Sequence, residues 1–122
     1  MSKLTVFFAV IEGDRLQIAS LVRDKLAELA IEYTPVFACW QDAREIFASE
    51  CEGSCLLICD GPIAKGVEGM EDHDLDGFHT IIIGQPLRPS LVSVRRAYAS
   101  IEALGTQLEL AVAMMSEPDS RA

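Results

Sequence analysis

The chain has 122 residues, half of them hydrophobic, and its 19 Asp and Glu residues against 10 Lys and Arg residues give a formal net charge of −9. This length and hydrophobic content fit one domain that buries its own core. The acidic balance, without any basic stripe, excludes direct nucleic-acid binding from the expected functions. No apolar stretch approaches the roughly 20 residues that cross a bilayer, and Met1 leads into a strand pattern rather than a signal sequence. We therefore expect a cytoplasmic protein with no membrane contact.

Hydrophobic periodicity along the chain alternates between strand and helix patterns. The predicted elements are a strand at 4–11, a helix at about 14–30, a strand at 34–40, a short helix at 42–49, a strand at 55–60, a strand at 79–84 and a helix at about 90–115. This alternation predicts a parallel sheet of about four to five strands with right-handed crossovers. The domain is expected to cover 1–115, and the polar residues 116–122 are expected to form a flexible tail.

Acidic residues follow two of the predicted strands. Asp60 ends an apolar run that starts at Cys55, and Glu12 and Asp14 follow the first strand. Open α/β sheets bind ligands at the carboxyl ends of their strands, so three carboxylates converge there if the two strands are neighbours. The alternative for each acid is a structural role, as a strand-to-loop residue or as the cap of the next helix.

Four cysteines lie in the middle of the chain. Cys55 and Cys59 belong to the third predicted strand, and Cys39 and Cys51 precede it. In a reducing cytosol all four should be thiols, and their spacing lacks the C-x2-C element of zinc fingers. Packing as small buried groups is the main expectation. Metal binding, and redox or nucleophilic chemistry by Cys55 or Cys59, are the alternatives.

Residues 61–78 are unusually long and polar for a connection in a compact domain. They contain four glycines and the acid run from Glu68 to Asp76, with too few apolar residues for a helix that packs. The segment 72–77 copies the opening of a calcium loop, but Ile83 stands where the bidentate Glu should be. A largely irregular acidic connection is therefore predicted.

The last predicted helix, at about 90–115, is longer than a domain of this size needs to cover its own sheet. Its apolar residues follow a 3-4 spacing that is interrupted at Gly105. They are Leu91, Val94, Tyr98, Ile101, Leu108 and Val112. Such a seam predicts a homodimer, or contact with another protein or domain, through this helix. The alternative is a helix that bends at Gly105 and covers the sheet.

Three segments resemble the receiver domains of two-component response regulators and hybrid kinases. Val10-Ile11-Glu12-Gly13-Asp14 resembles the first strand and acidic pocket, and Leu56-Leu57-Ile58-Cys59-Asp60 resembles the third strand with its phospho-accepting Asp. The segment 81–91 is similar to the Lys-Pro turn and final helix that close such domains. The resemblance implies a flavodoxin-like sheet, abbreviated after strand three, with a long carboxyl-terminal helix.

The chain departs from the receiver pattern at the positions that handle phosphate. Gln85 stands at the switch-lysine position, Gly13 separates the two acids, and no Ser or Thr can be assigned to the switch position at the end of strand four. A neutral amide cannot balance the charge of an aspartyl phosphate. Weak Mg²⁺ binding by Asp14 and Asp60 is the most that this pocket predicts, and no other cofactor is expected.

The sequence therefore predicts a non-catalytic signalling module, a degenerate receiver that acts through its carboxyl-terminal helix on a protein partner or a second copy. One alternative is a receiver that is phosphorylated at Asp60. The other is a small enzyme that uses Cys55 or Cys59.

Overall fold

The structure of the protein is a computed structural model that describes residues 4–10, 12–37, 54–60, 78–86 and 96–116. These residues form five strands and two helices. The elements are β1 (Leu4–Ala9), α1 (Glu12–Glu28), β2 (Tyr33–Phe37), β3 (Ser54–Asp60), β4 (Phe78–Ile83), β5 (Arg96–Ala99) and α2 (Leu104–Ser116).

The five strands form one sheet in which every neighbouring pair is parallel, in the order β2-β1-β3-β4-β5. This is the flavodoxin-like order, with its switch point between β1 and β3. The predicted α/β fold class is thus confirmed, and two described strands follow β3. Pro35 lies inside β2, which is tolerated because β2 is an edge strand.

Both described helices pack on one face of the sheet, which we call the first face. Ile18, Val22 and Leu26 recur at helical spacing along α1 and are fully buried, as are Leu104 and Leu108 of α2. They pack against alternate strand residues, which are Val6, Phe8, Leu56, Ile58, Ile81 and Ala99. Burial of such side chains contributes roughly 1.5 to 3 kcal/mol each, which makes this layer the main source of stability among the described residues.

The intervening strand residues project to the opposite side, which we call the second face, because side chains alternate along a strand. Its apolar members Phe7, Leu57 and Ile82 are buried. Two polar residues, Thr80 and Arg96, are register partners on β4 and β5 and are also buried. These residues are thus buried on the side of the sheet opposite α1 and α2.

The prediction of one helix over about 90–115 is wrong at its start. Residues 96–99 form β5, residues 101–103 form a turn, and the helix begins at Leu104. Residues 96–99 form a strand because they pair with β4. Such pairing between distant segments leaves no sign in the helical spacing of the sequence. The Ser100 hydroxyl accepts a hydrogen bond from the N–H of Ala103, 3.2 Å away, at the turn into the helix.

The predicted helix seam is distributed over different elements. Tyr98 lies in β5 and Ile101 in the turn, while Leu108 and Val112 face the first-face core. Leu91 and Val94, the predicted helix at 42–49 and the acidic segment 61–77 lie outside the described residues. The four described residues thus do not form one continuous face on a helix.

Candidate functional site at the carboxyl edge

The predicted convergence of acids depends on β1 and β3 being neighbours, and they are. Ala9 pairs with Cys59 in register, so the ends of the two strands lie side by side. Asp60 is the last residue of β3, pairs in register with Ile83 of β4, and is only 4% exposed. Helix α1 begins at Glu12, so Glu12 and Asp14 lie in its first turn, where the structure describes their backbone.

Three residues that follow β4 and β5 lie at the carboxyl edge. Gln85 is exposed and follows β4, and Ser100 directly follows β5. The assignment of Gln85 to the switch-lysine position stays a prediction. Gly84, with φ of 138°, directly follows β4, and its N–H donates to the carbonyl of Ala99 at 2.9 Å.

Four Lys and Arg residues lie within the described ranges, and they are Arg15, Arg23, Lys25 and Arg96. Lys25 lies 2.9 Å from a carboxylate oxygen of Glu109 in α2, and Arg23 contacts the neighbouring Asp24. Arg15 lies over the ring of Phe37, and Arg96 projects from the second face, whereas Asp60 shares the register of first-face residues. These contacts of Arg15, Arg23 and Lys25 are to β2, α1 and α2, respectively.

The prediction of metal binding at the carboxyl edge rests on the sequence alone. Within residues 4–10, 12–37, 54–60, 78–86 and 96–116, no group of three His, Cys, Asp or Glu side chains is arranged to hold a metal ion. Weak Mg²⁺ binding through Asp14 and Asp60 stays a prediction.

The two described cysteines differ in state. Cys55 is disulfide-bonded, so the expectation that all four cysteines are thiols is wrong at this position. Cys59 is a free thiol and is fully buried. A nucleophilic cysteine needs an accessible thiolate, so this arrangement disfavours an enzyme that uses either residue.

The outward side of α2 carries exposed apolar residues that the sequence analysis did not single out. Leu110 and Met114, one turn apart, are 54% and 43% exposed, and Ala113 between them is also exposed. We call these three residues the α2 outer face. The Glu109 side of α2 faces α1 instead, where Glu109 pairs with Lys25. The hydrogen bond to Glu109 raises the pKa of Lys25, although desolvation opposes the shift.

A second exposed apolar site lies at the end of β2. The ring of Phe37 stacks on the buried ring of Phe8, with centroids 4.9 Å apart, and the Arg15 guanidinium lies 5.9 Å from its centroid. Phe37 is nevertheless 49% exposed, and Leu16 in the second turn of α1 is 82% exposed. The sequence pattern assigned Phe37 to a strand and gave no signal of this stacking.

No family model matches the chain, and no curated protein matches it. A crystal structure of a fragment of a provisionally assigned lipoprotein from Peptoclostridium difficile 630 is similar, with a TM-score of 0.66. The two chains are 16% identical, and the alignment covers 94% of this chain and 100% of that one. At this identity the likeness shows the fold alone. No helix among the described residues is long and apolar enough to cross a membrane.

Proposed function

We propose that the chain is a degenerate receiver-like domain, a non-catalytic signalling module that acts by binding protein. The observation that carries this proposal is the identity of the residues after β4 and β5, Gly84 and Ser100. Neither a glycine nor a serine can balance the charge of an aspartyl phosphate as a lysine does. The burial of Asp60 adds support, because a phosphodonor must reach the carboxylate that it modifies.

The binding surface in this proposal is the α2 outer face, and its first partner is a second copy of the chain. Two molecules that each carry a formal charge of −9 repel one another and associate best through a neutral surface. The stretch from Leu110 to Ser116 contains no charged residue, and Glu109 beside it is paired with Lys25. The proposed dimer contact is thus formed by the carboxyl-terminal helix, as the sequence predicted. It uses the exposed Leu110 and Met114, because the predicted Leu108 and Val112 face the core.

Two half-exposed side chains provide a modest association energy. Burying the remaining surface of Leu110 and Met114 is worth about 1 kcal/mol each, so a two-fold contact gains about 4 kcal/mol before the cost of association. We therefore expect a weak dimer, unless other parts of the chain extend the interface.

The test replaces Leu110 and Met114 together with Glu and measures sedimentation over a concentration series. The dimer should be lost while the circular dichroism spectrum stays unchanged. The matched control is Leu16→Glu, which adds a charge at an exposed leucine on α1 and should leave the dimer intact. A wild-type chain that is monomeric at high micromolar concentration would contradict self-association and leave the α2 outer face to a different protein.

The second candidate is a receiver that is phosphorylated at Asp60, because Asp60 lies at the end of β3 beside the switch point. Incubation with a small phosphodonor and Mg²⁺, followed by intact mass measurement, distinguishes the two proposals. The degenerate domain gains no phosphoryl group. A gain in mass that disappears in Asp60→Asn would establish the second candidate.

We also propose a cytoplasmic location, as expected for a signalling module of this kind, and one observation stands against it. The disulfide at Cys55 argues against it, because thiols in the cytosol are kept reduced. Intact cells are quenched in acid, and the cysteines are then alkylated under denaturing conditions, so that the burial of Cys59 does not protect its thiol. Four modified cysteines per chain agree with a reducing compartment, whereas two unmodified cysteines place the chain outside the cytosol.

A further inference from the structure

Helix α2 carries a single charged side chain. Between Leu104 and Ser116 it contains Glu109 and no other Asp, Glu, Lys or Arg. Glu109 directly precedes Leu110 and lies four residues before Ala113, so it is one turn from Ala113 on the same side of the helix. Glu109 therefore lies at the border of the α2 outer face, and the charge at that border depends on its ion pair.

Lys25 of α1 supplies the opposite charge. Its Nζ lies 2.9 Å from a carboxylate oxygen of Glu109 and 3.7 Å from one of Glu28, which belongs to α1 itself. The side chain of Lys25 is 20% exposed, whereas that of Glu109 is 55% exposed. The stem of Lys25 passes Gly105, one turn before Glu109, where an added Cβ would meet Lys25 Cδ at 3.9 Å. Packing against α2 thus holds the ammonium group next to Glu109.

This ion pair affects how two copies of the chain meet. In a two-fold contact through Leu110 and Met114, the same surface of each molecule is used, so both Glu109 side chains border one interface. Like charges that are brought together and partly desolvated repel one another. Within each molecule, Lys25 offsets this repulsion. Lys25 keeps its charge at neutral pH, because the hydrogen bond to Glu109 raises its pKa above the ordinary 10.5.

We propose that Lys25 controls the affinity of the α2 outer face for a second copy by neutralising Glu109. The inference rests on the proposed function, because it needs that face to bind a second copy. Without the Lys25 charge, the α2 outer face keeps its apolar residues but is bordered by an uncompensated carboxylate, and the dimer is weaker. A residue of α1 thereby regulates association through α2.

Sedimentation over a concentration series measures the dimer affinity of the full chain, of Lys25→Met, and of Lys25→Met combined with Glu109→Gln. Lys25→Met should weaken the dimer about fivefold at about 0.1 M salt, because two uncompensated carboxylates then border the contact. Removing the Glu109 charge as well should restore the wild-type affinity. At about 1 M salt, the affinities of Lys25→Met and wild type should agree within about twofold, because screening then acts over about 3 Å.

Arg23→Met is the matched control. It removes the same charge from the same helix and gives the same net charge as Lys25→Met, but Arg23 is 67% exposed and contacts Asp24 of α1, 3.3 Å away. Its dimer affinity should stay within about twofold of wild type. Circular dichroism checks that each variant is folded. Where Lys25→Met does not fold, Lys25→Gln removes the charge and keeps a polar side chain.

Three results would overturn the role of Lys25 and leave the proposed dimer standing. They are an unchanged affinity in Lys25→Met, an equal loss in Arg23→Met, and a loss in Lys25→Met that neither Glu109→Gln nor high salt reverses. The last of these would show that Lys25 acts by packing rather than by charge. A wild-type chain that is monomeric at high micromolar concentration contradicts the proposed function itself, and the inference falls with it.

Discussion

The hydroxyl of Thr80 offers the clearest test of the described core. Thr80 is 1% exposed in the middle of β4, and its Oγ1 is buried without a hydrogen-bond partner. Burying an unpaired hydroxyl costs about 1 to 3 kcal/mol. Thr80→Val replaces it by a methyl group of similar shape and keeps the β-branched side chain that strands favour. We expect a gain of about 1 kcal/mol or more in the free energy of unfolding.

Urea denaturation of wild type and Thr80→Val measures this gain as a higher midpoint with an unchanged slope. Thr80→Ser is the matched comparison, because it keeps the hydroxyl and loses the methyl group. It should be destabilised by about 1 kcal/mol. A loss of stability in Thr80→Val would show that the hydroxyl has a partner in the native protein, and would refute the reasoning.

Three further substitutions test other parts of the fold. Asp60→Asn should leave partner binding intact, because the proposed degenerate domain does not use this carboxylate for signalling; preserved folding with lost binding, measured by urea unfolding and sedimentation, would contradict the degenerate assignment. Gly105→Ala should stabilise α2 by about 0.5 to 1 kcal/mol, since a Cβ there meets only Lys25 Cδ at 3.9 Å; a lower melting temperature would count against this. Because Glu109 raises the pKa of Lys25 above its ordinary 10.5, the pairing contributes fully below pH 10.5 and is lost as the pH rises through the higher folded value. Lys25→Met should therefore show a smaller loss of stability across that alkaline range than wild type, and equal losses would contradict the pairing.

Much of the fold follows from the sequence alone. The apolar runs of β1, β3 and β4 are long and stop at turn residues, so their pattern predicts buried parallel strands. The helical spacing of apolar residues over about 14–30 predicts α1, although Leu16 of that pattern is 82% exposed, and the alternation of elements predicts the parallel sheet. Asp60 could be placed at the carboxyl edge for the same reason, because it ends a strand whose apolar pattern is unambiguous.

The secondary structure of residues 96–116 could be determined only from the tertiary structure. The four residues of β5 are too few for a strand period, and with Ala97 and Ala99 they suit a helix equally well until they pair with β4. Because residues 96–99 form β5, α2 begins at Leu104 rather than near residue 90, and Leu108 faces the core. Gln85 is followed by β5 and not directly by the final helix. Burial of Arg96 and Thr80 has the same origin, since the sequence gives their spacing but only the neighbouring strands determine which face they occupy.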